Sequence, residues 1–141
     1  APDDARVAAE AGAVLVRYLQ RDPDRARALL ETAVLLGEAE VRSLDASARE
    51  PGLDEKERAA RRLSLEEAQT RVGDACLDLG VLHLALLGDP ATARTWLEKS
   101  RASGPDPRPE IEGLLERCRP GAGDSRIRAE SRWAAPIQPG K

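Results

Sequence analysis

The chain has 141 residues, of which 41% are hydrophobic and only 2% aromatic, and a formal charge of −3. That length and apolar content suit one domain with a real core and exclude a wholly disordered chain. Leu, Val and Ala must fill the interior, which favours close-packed helices over a sheet, and an acidic body without an interleaved aromatic and basic stripe excludes a nucleic-acid footprint.

The opening "APDDARVAAEAG" has neither the charged nor the apolar region of a signal peptide, and no stretch reaches the ~18 apolar residues of a membrane span. The chain therefore reads as soluble. Its compartment stays open, with the cytoplasm slightly favoured and the periplasm or exterior reached only if the N-terminus has been processed. Residues 5–20, "ARVAAEAGAVLVRYLQ", form the first expected helix. A second begins at Asp22, an N-cap residue type, with Pro23 at the first helical position, where a missing N–H costs nothing. Gly37 is either a turn or a glycine inside one long helix running from 23 to 49, and Pro51-Gly52 marks a turn.

Beyond that turn, "DEKERAARRL" has the spacing of an exposed helical face with ion pairs. Ser64 and Glu67 stand in the S-x-x-E arrangement of a capping box, so a further helix is expected over about 65–87. Asp89 and Pro90 then repeat the Asp-Pro start of residues 22 and 23. The echo extends along both stretches: "RDPDRARALLETA" from residue 21 and "GDPATARTWLEKS" from residue 88 place Ala26, Leu30 and Ala33 in register with Ala93, Leu97 and Ser100. These positions line up on one helical face. A hairpin of this kind cannot bury its apolar face alone, and a second copy supplies the neighbour. After "SGPDPRP" a short last helix is expected over 108–118. From Arg119 the Pro, Gly and Ser content marks a flexible tail. Residues 117–141 carry six of the 22 basic residues and two of the 25 acidic ones, so the tail is basic while the body is acidic.

"LDLGVLHLALLGDPATARTWLEKSRASGP" resembles one tetratricopeptide repeat: Leu79-Gly80 in its first helix, Gly88-Asp89 at the turn, then Ala93, Leu97, Ser100 and a closing Pro105. "ACLDLGVLH" is similar to the Sel-like branch of that superfamily. The 67-residue separation of the two copies is about twice the ~34-residue repeat, which implies a middle unit near 38–63 with Ala59 and Leu63 in phase. The resemblance implies an all-α fold of antiparallel helical hairpins, stacked as a short solenoid over residues 1–118, with 119–141 as the tail; an irregular helical bundle is the alternative. It implies a binding scaffold whose first helices line a concave face, presenting Asp74, Leu77, Val81 and Leu84 in the last unit. Those residues are mostly apolar and the chain has no Asn, so a carboxylate clamp is not expected and an apolar segment or helix of a partner protein is. Cysteines in successive repeat helices pair in the Sel-like branch, so Cys76 and Cys118 are either a disulfide or two reduced, buried thiols.

The candidates for chemistry are few. Cys76 and His83 are seven residues apart, about two helical turns or ~10 Å along one helix, too far for a nucleophile and its base. Cys76, His83 and Cys118 lack the short spacing that preforms a zinc site. The pairs Asp3-Asp4 and Glu66-Glu67 sit at expected helix starts, where acids suit the dipole. No phosphate loop, nucleophile elbow or H-E-x-x-H is present. The expectation is a noncatalytic adaptor without metal or cofactor; a subunit that self-assembles through stacked hairpins is the alternative. In the tail, Arg126, Arg128 and Arg132 precede Trp133 and Ile137, the composition of a short docking segment that could seat aromatic and apolar anchors on the acidic body or on a partner, or else of a plain linker.

Overall fold

The computed structural model describes residues 2–14 and 22–121, with side chains from Ala5 onward. They form five α-helices and no strand: α1 (Pro2–Val14), α2 (Pro23–Ala48), α3 (Glu55–Ala85), α4 (Pro90–Arg101) and α5 (Glu110–Arg117). The fold is all-α, and no described helix is long and apolar enough to cross a membrane.

Both Asp-Pro starts act as read. The Asp22 carboxylate accepts from Arg25 N at 3.3 Å and Asp89 from Thr92 N at 3.2 Å, each with Pro following as the first helical residue. Asp22 does so from a left-handed backbone (φ 48°), which Asp tolerates better than most residues. Gly52 (φ 82°) carries the Pro51-Gly52 turn between α2 and α3. Of the expected helix over 5–20, α1 accounts for the part to Val14, and positions 15–20 lie outside the described residues.

Two expectations are corrected. No helix starts at Ser64: α3 begins ten residues earlier, capped by Asp54, whose Oδ1 accepts from Glu57 N at 2.7 Å. The Ser64 hydroxyl donates instead to Ala60 O at 3.3 Å, inside the helix. Nothing between Asp54 and Ser64 interrupts the run of strong helix formers, so the S-x-x-E motif meets a chain that is already helical. The stretch expected as a middle unit has no helices of its own: residues 38–48 continue α2 and residues 55–63 begin α3. Gly37 lies within the continuous α2, where a Cβ would stand 2.7 Å from Val72 Cγ2, so this glycine admits α3 at close range.

The helices pack by a construction that occurs twice. A Cβ on Gly12 would lie 2.7 Å from Leu30 Cγ and 3.4 Å from Ala26 O; one on Gly80 would lie 2.6 Å from Leu97 Cγ and 3.4 Å from Ala93 O. In each case a glycine of the earlier helix lets the later one settle against it, its Leu completely buried over the bare backbone. Ala26, Leu30, Ala33, Ala93, Leu97 and Ser100, the six positions in register, are all buried. α3 and α4 run antiparallel, because Gly80 meets Leu97 while seven residues earlier Gly73 O accepts from Ser100 Oγ at 2.7 Å. α2 and α3 are antiparallel too, through Gly37 with Val72, Glu40 with Arg71 (2.7 Å) and Ser47 with Arg61 (3.0 Å).

The core sits where the N-terminal half of α2 and the C-terminal half of α3 meet the other helices. Past Gly37 and Val72 the two long helices continue as a two-helix arm. From Glu38 to Ala48 no residue is buried, and from Glu55 to Arg71 only Ala68 is. Polar links join the arm's two helices: the Arg61 guanidinium donates to Ser47 O, Ser47 Oγ and Glu50 Oε2, the last at 2.8 Å.

Candidate functional site

Leu77, Val81 and Leu84, the apolar members of the expected concave face, are core residues, 4%, 0% and 1% exposed. The helix is enclosed on that side, so their burial leaves no groove for a partner there; the correction follows from α3 being wrapped on several sides, where the repeat pattern predicts one open face. Asp74 alone reaches the surface, and it accepts from Arg108 Nε at 3.0 Å. Arg126, Arg128, Arg132, Trp133 and Ile137 lie outside the described residues. Cys76 and Cys118 are both free thiols and both buried, the second of the two states expected for them. Among the described residues no three His, Cys, Asp or Glu side chains are grouped to hold a metal ion.

Arg108, which the sequence places at the start of the short last helix, instead lies two residues ahead of α5, and its side chain is heavily bonded. Its guanidinium lies against the bare backbone of Gly73, where a Cβ would clash with it. Besides Asp74, it donates to Thr70 O at 2.9 Å, Ser100 O at 3.1 Å and Ser103 O at 2.7 Å, and its side chain is only 10% exposed. It therefore closes the C-terminal end of α4 onto the middle of α3.

Surface depressions also open among the described residues. A small one at the root of the arm involves Glu38, Val41, Gln69 and Ser103. A second, mostly apolar groove of about 540 Å³ runs along α1 and α2, lined by Val7, Ala11, Val14 and Leu29 with Glu10 and Arg25 at its edges. Val7 is 59% and Val14 47% exposed there. A third, about 690 Å³, opens between the N-terminal halves of α2 and α4 above the end of α3. Arg27 and Glu31 come from α2, His83 from α3, and Asp89, Thr92, Thr95 and Trp96 from the start of α4. The Asp-Pro cap positions this last set, since Asp89 also accepts from the Thr92 hydroxyl at 2.7 Å. The Lys99 ammonium stands 5.7 Å from the centre of the Trp96 ring and bridges to Glu38 of α2 at 3.0 Å, tying the two helices together beside the cleft.

His83 is the unusual member. It is 6% exposed, and neither ring nitrogen has a hydrogen-bond partner. Buried polar atoms are nearly always bonded, so an imidazole left bare beneath a cleft calls for an explanation. Burial pushes its pKa below the ordinary 6.5, with Arg27 adding to the shift and Asp89 and Glu31 opposing it. Since the folded value is the lower one, protonation favours the unfolded chain: the contribution is fully present above pH 6.5 and is lost as pH falls through the folded pKa. The urea midpoint should accordingly decline as pH drops below 6.5, and His83→Gln should flatten that decline. Asp89 acts in a separate, more acidic window, because its bonds from the Thr92 hydroxyl and N–H lower its pKa from 3.8.

Cys76 shows the opposite perturbation, its thiol pushed up to about 12 by burial. At neutral pH it is a thiol and not a thiolate, the wrong state for a nucleophile. Cys118 is raised for the same reason. Iodoacetamide should label neither cysteine in the folded protein and both after denaturation, read by intact mass.

No known protein family, curated protein or solved structure matches this chain.

Proposed function

We propose that this chain is a noncatalytic adaptor, a tetratricopeptide-like stack of helical hairpins that holds an apolar helix or segment of a partner protein. One observation carries the reading: the open groove of Val7, Ala11, Val14 and Leu29 on the outer side of α1 and α2. Hairpins of this kind bury one face against a neighbour, and here that face has none among the described residues. The joint repeated at Gly12/Leu30 and Gly80/Leu97 supports the hairpin stack. A protonated Cys76 and a His83 without partners support a binding role over a catalytic one.

The test places a photo-crosslinking amino acid at Val7 in the full chain within its native cell. An adaptor gives a discrete product with a different protein, lost in a Val14→Glu, Leu29→Glu variant that still folds by circular dichroism, while the purified chain stays monomeric by light scattering. The exposure of Val7 and Val14 also favours a second reading, assembly of copies of this chain through the same face. That reading expects crosslinks between copies and a mass that rises with concentration. Neither product, with an unchanging monomer mass, overturns both.

A further inference from the structure

We propose that the cleft above His83 is a guanidinium-binding site, and that its occupant is an arginine of this chain's own C-terminal segment, residues 122–141. The cleft is built for a cation. Glu31 is exposed and has no ion-pair partner among the described residues, and Asp89 adds a second carboxylate. The one cation lining the cleft, Arg27, is bridged to Asp24 at 3.3 Å. Trp96 offers an aromatic ring, and its attraction for cations is visible in Lys99 beside it. His83 supplies the independent sign of a missing ligand, two buried nitrogens with nothing bonded to them.

A neutral imidazole has one acceptor nitrogen and one N–H. A guanidinium provides donors in a planar fork that suits both the acceptor nitrogen and a carboxylate such as Glu31. The peptide that carries it brings carbonyl oxygens for the N–H. An arginine within a polypeptide thus meets needs that a free ammonium ion does not.

The chain's own segment fits by charge and by reach. Residues 122–141 hold Arg126, Arg128, Arg132 and Lys141 against Asp124 and Glu130. The described chain ends at Gly121, just past Cys118, whose thiol senses Arg94 and Glu98 of α4. Arg94 is two residues from Trp96, around the same helix. Five residues from Gly121 to Arg126 span up to ~17 Å when extended, more than the ~10–12 Å width of a helix with its side chains.

The test is by NMR on the full chain. Its single histidine makes the imidazole nitrogen signals those of His83 without further assignment. Three proteins are compared: the parent, Glu31→Gln, and Arg126→Gln with Arg128→Gln and Arg132→Gln. The probe is N-acetyl-arginine methylamide, with the lysine analogue as control. We expect Glu31→Gln and the triple variant both to move the His83 nitrogen and Trp96 indole signals. Added probe should return the triple variant to the parent positions, and bind roughly tenfold more weakly once Glu31→Gln is combined with it, the loss of one charge-assisted contact. The lysine analogue should not restore them. If the triple variant matches the parent while the probe binds both alike, the site takes an arginine from another chain and the assignment to residues 122–141 is wrong. If the probe moves neither signal in any variant, or the lysine analogue acts equally, the guanidinium site itself is wrong.

Discussion

Replacing Arg108 with Met should lower the free energy of unfolding by about 3 kcal/mol, as measured by urea denaturation. The substitution keeps most of the side-chain length but removes donors to four oxygens, those of Thr70, Ser100 and Ser103 in the main chain and of the Asp74 carboxylate. Three of these are main-chain carbonyls on or beside α3 and α4, and breaking such a part-buried cluster costs far more than losing an exposed ion pair does. Arg108→Lys should rescue little, because an ammonium cannot span the same acceptors in a plane. Arg101→Met is the matched control: Arg101 bridges Glu112 at 3.0 Å with both side chains largely exposed, so its loss should stay within about 1 kcal/mol.

Gly80→Leu should be at least as damaging, at about 3 kcal/mol or more. Even a methyl group at this position would stand 2.6 Å from Leu97 Cγ, and Leu97 is fully buried with no free space to move into. Gly80→Ala sets the same clash against the ~1 kcal/mol by which Ala exceeds Gly in helix propensity, so it should fall between the parent and the Leu variant. Gly113→Ala provides the opposite sign. A Cβ there would touch nothing within 4 Å, so the propensity gain stands alone and the variant should be stabilised by about 0.5–1 kcal/mol. Should Gly80→Ala stabilise as Gly113→Ala does, the close approach of α3 and α4 at Gly80 is wrong.

These residues also show which parts of the molecule could be read in advance. The Asp22-Pro23 and Asp89-Pro90 starts, the Pro51-Gly52 turn and the short helix before the tail are local events, decided by capping and backbone restriction within a few residues. Periodicity likewise identified the buried face from Ala26 to Ser100, because an apolar stripe is a property of one helix. What stayed hidden depends on partners distant in sequence. Ser64 and Glu67 carry the same side chains whether they cap a helix or continue one, and the decision lies upstream at Asp54. Gly37 is tolerated within α2 because Val72 lies against it. Arg108 sits in a stretch whose prolines announce a loop, and no local pattern shows that oxygens of residues 70, 74, 100 and 103 converge on it. Leu77, Val81 and Leu84 were correctly apolar, but apolarity alone does not distinguish a groove from a core. His83 is the chain's only histidine, but its want of bonding partners emerges only when three helices are placed around it.

The arm beyond Gly37 and Val72 gives the 67-residue spacing of the two copies another meaning. Much of the separation is taken up by two helix extensions, the end of α2 and the start of α3. Because the arm's two helices run antiparallel and contribute almost nothing to the core, equal lengths could be added to or removed from both without disturbing the joints at its base. Paired deletions of roughly seven residues, about two helical turns on each side, would preserve which faces meet. In such a protein the distance between two similar stretches of sequence is an adjustable length.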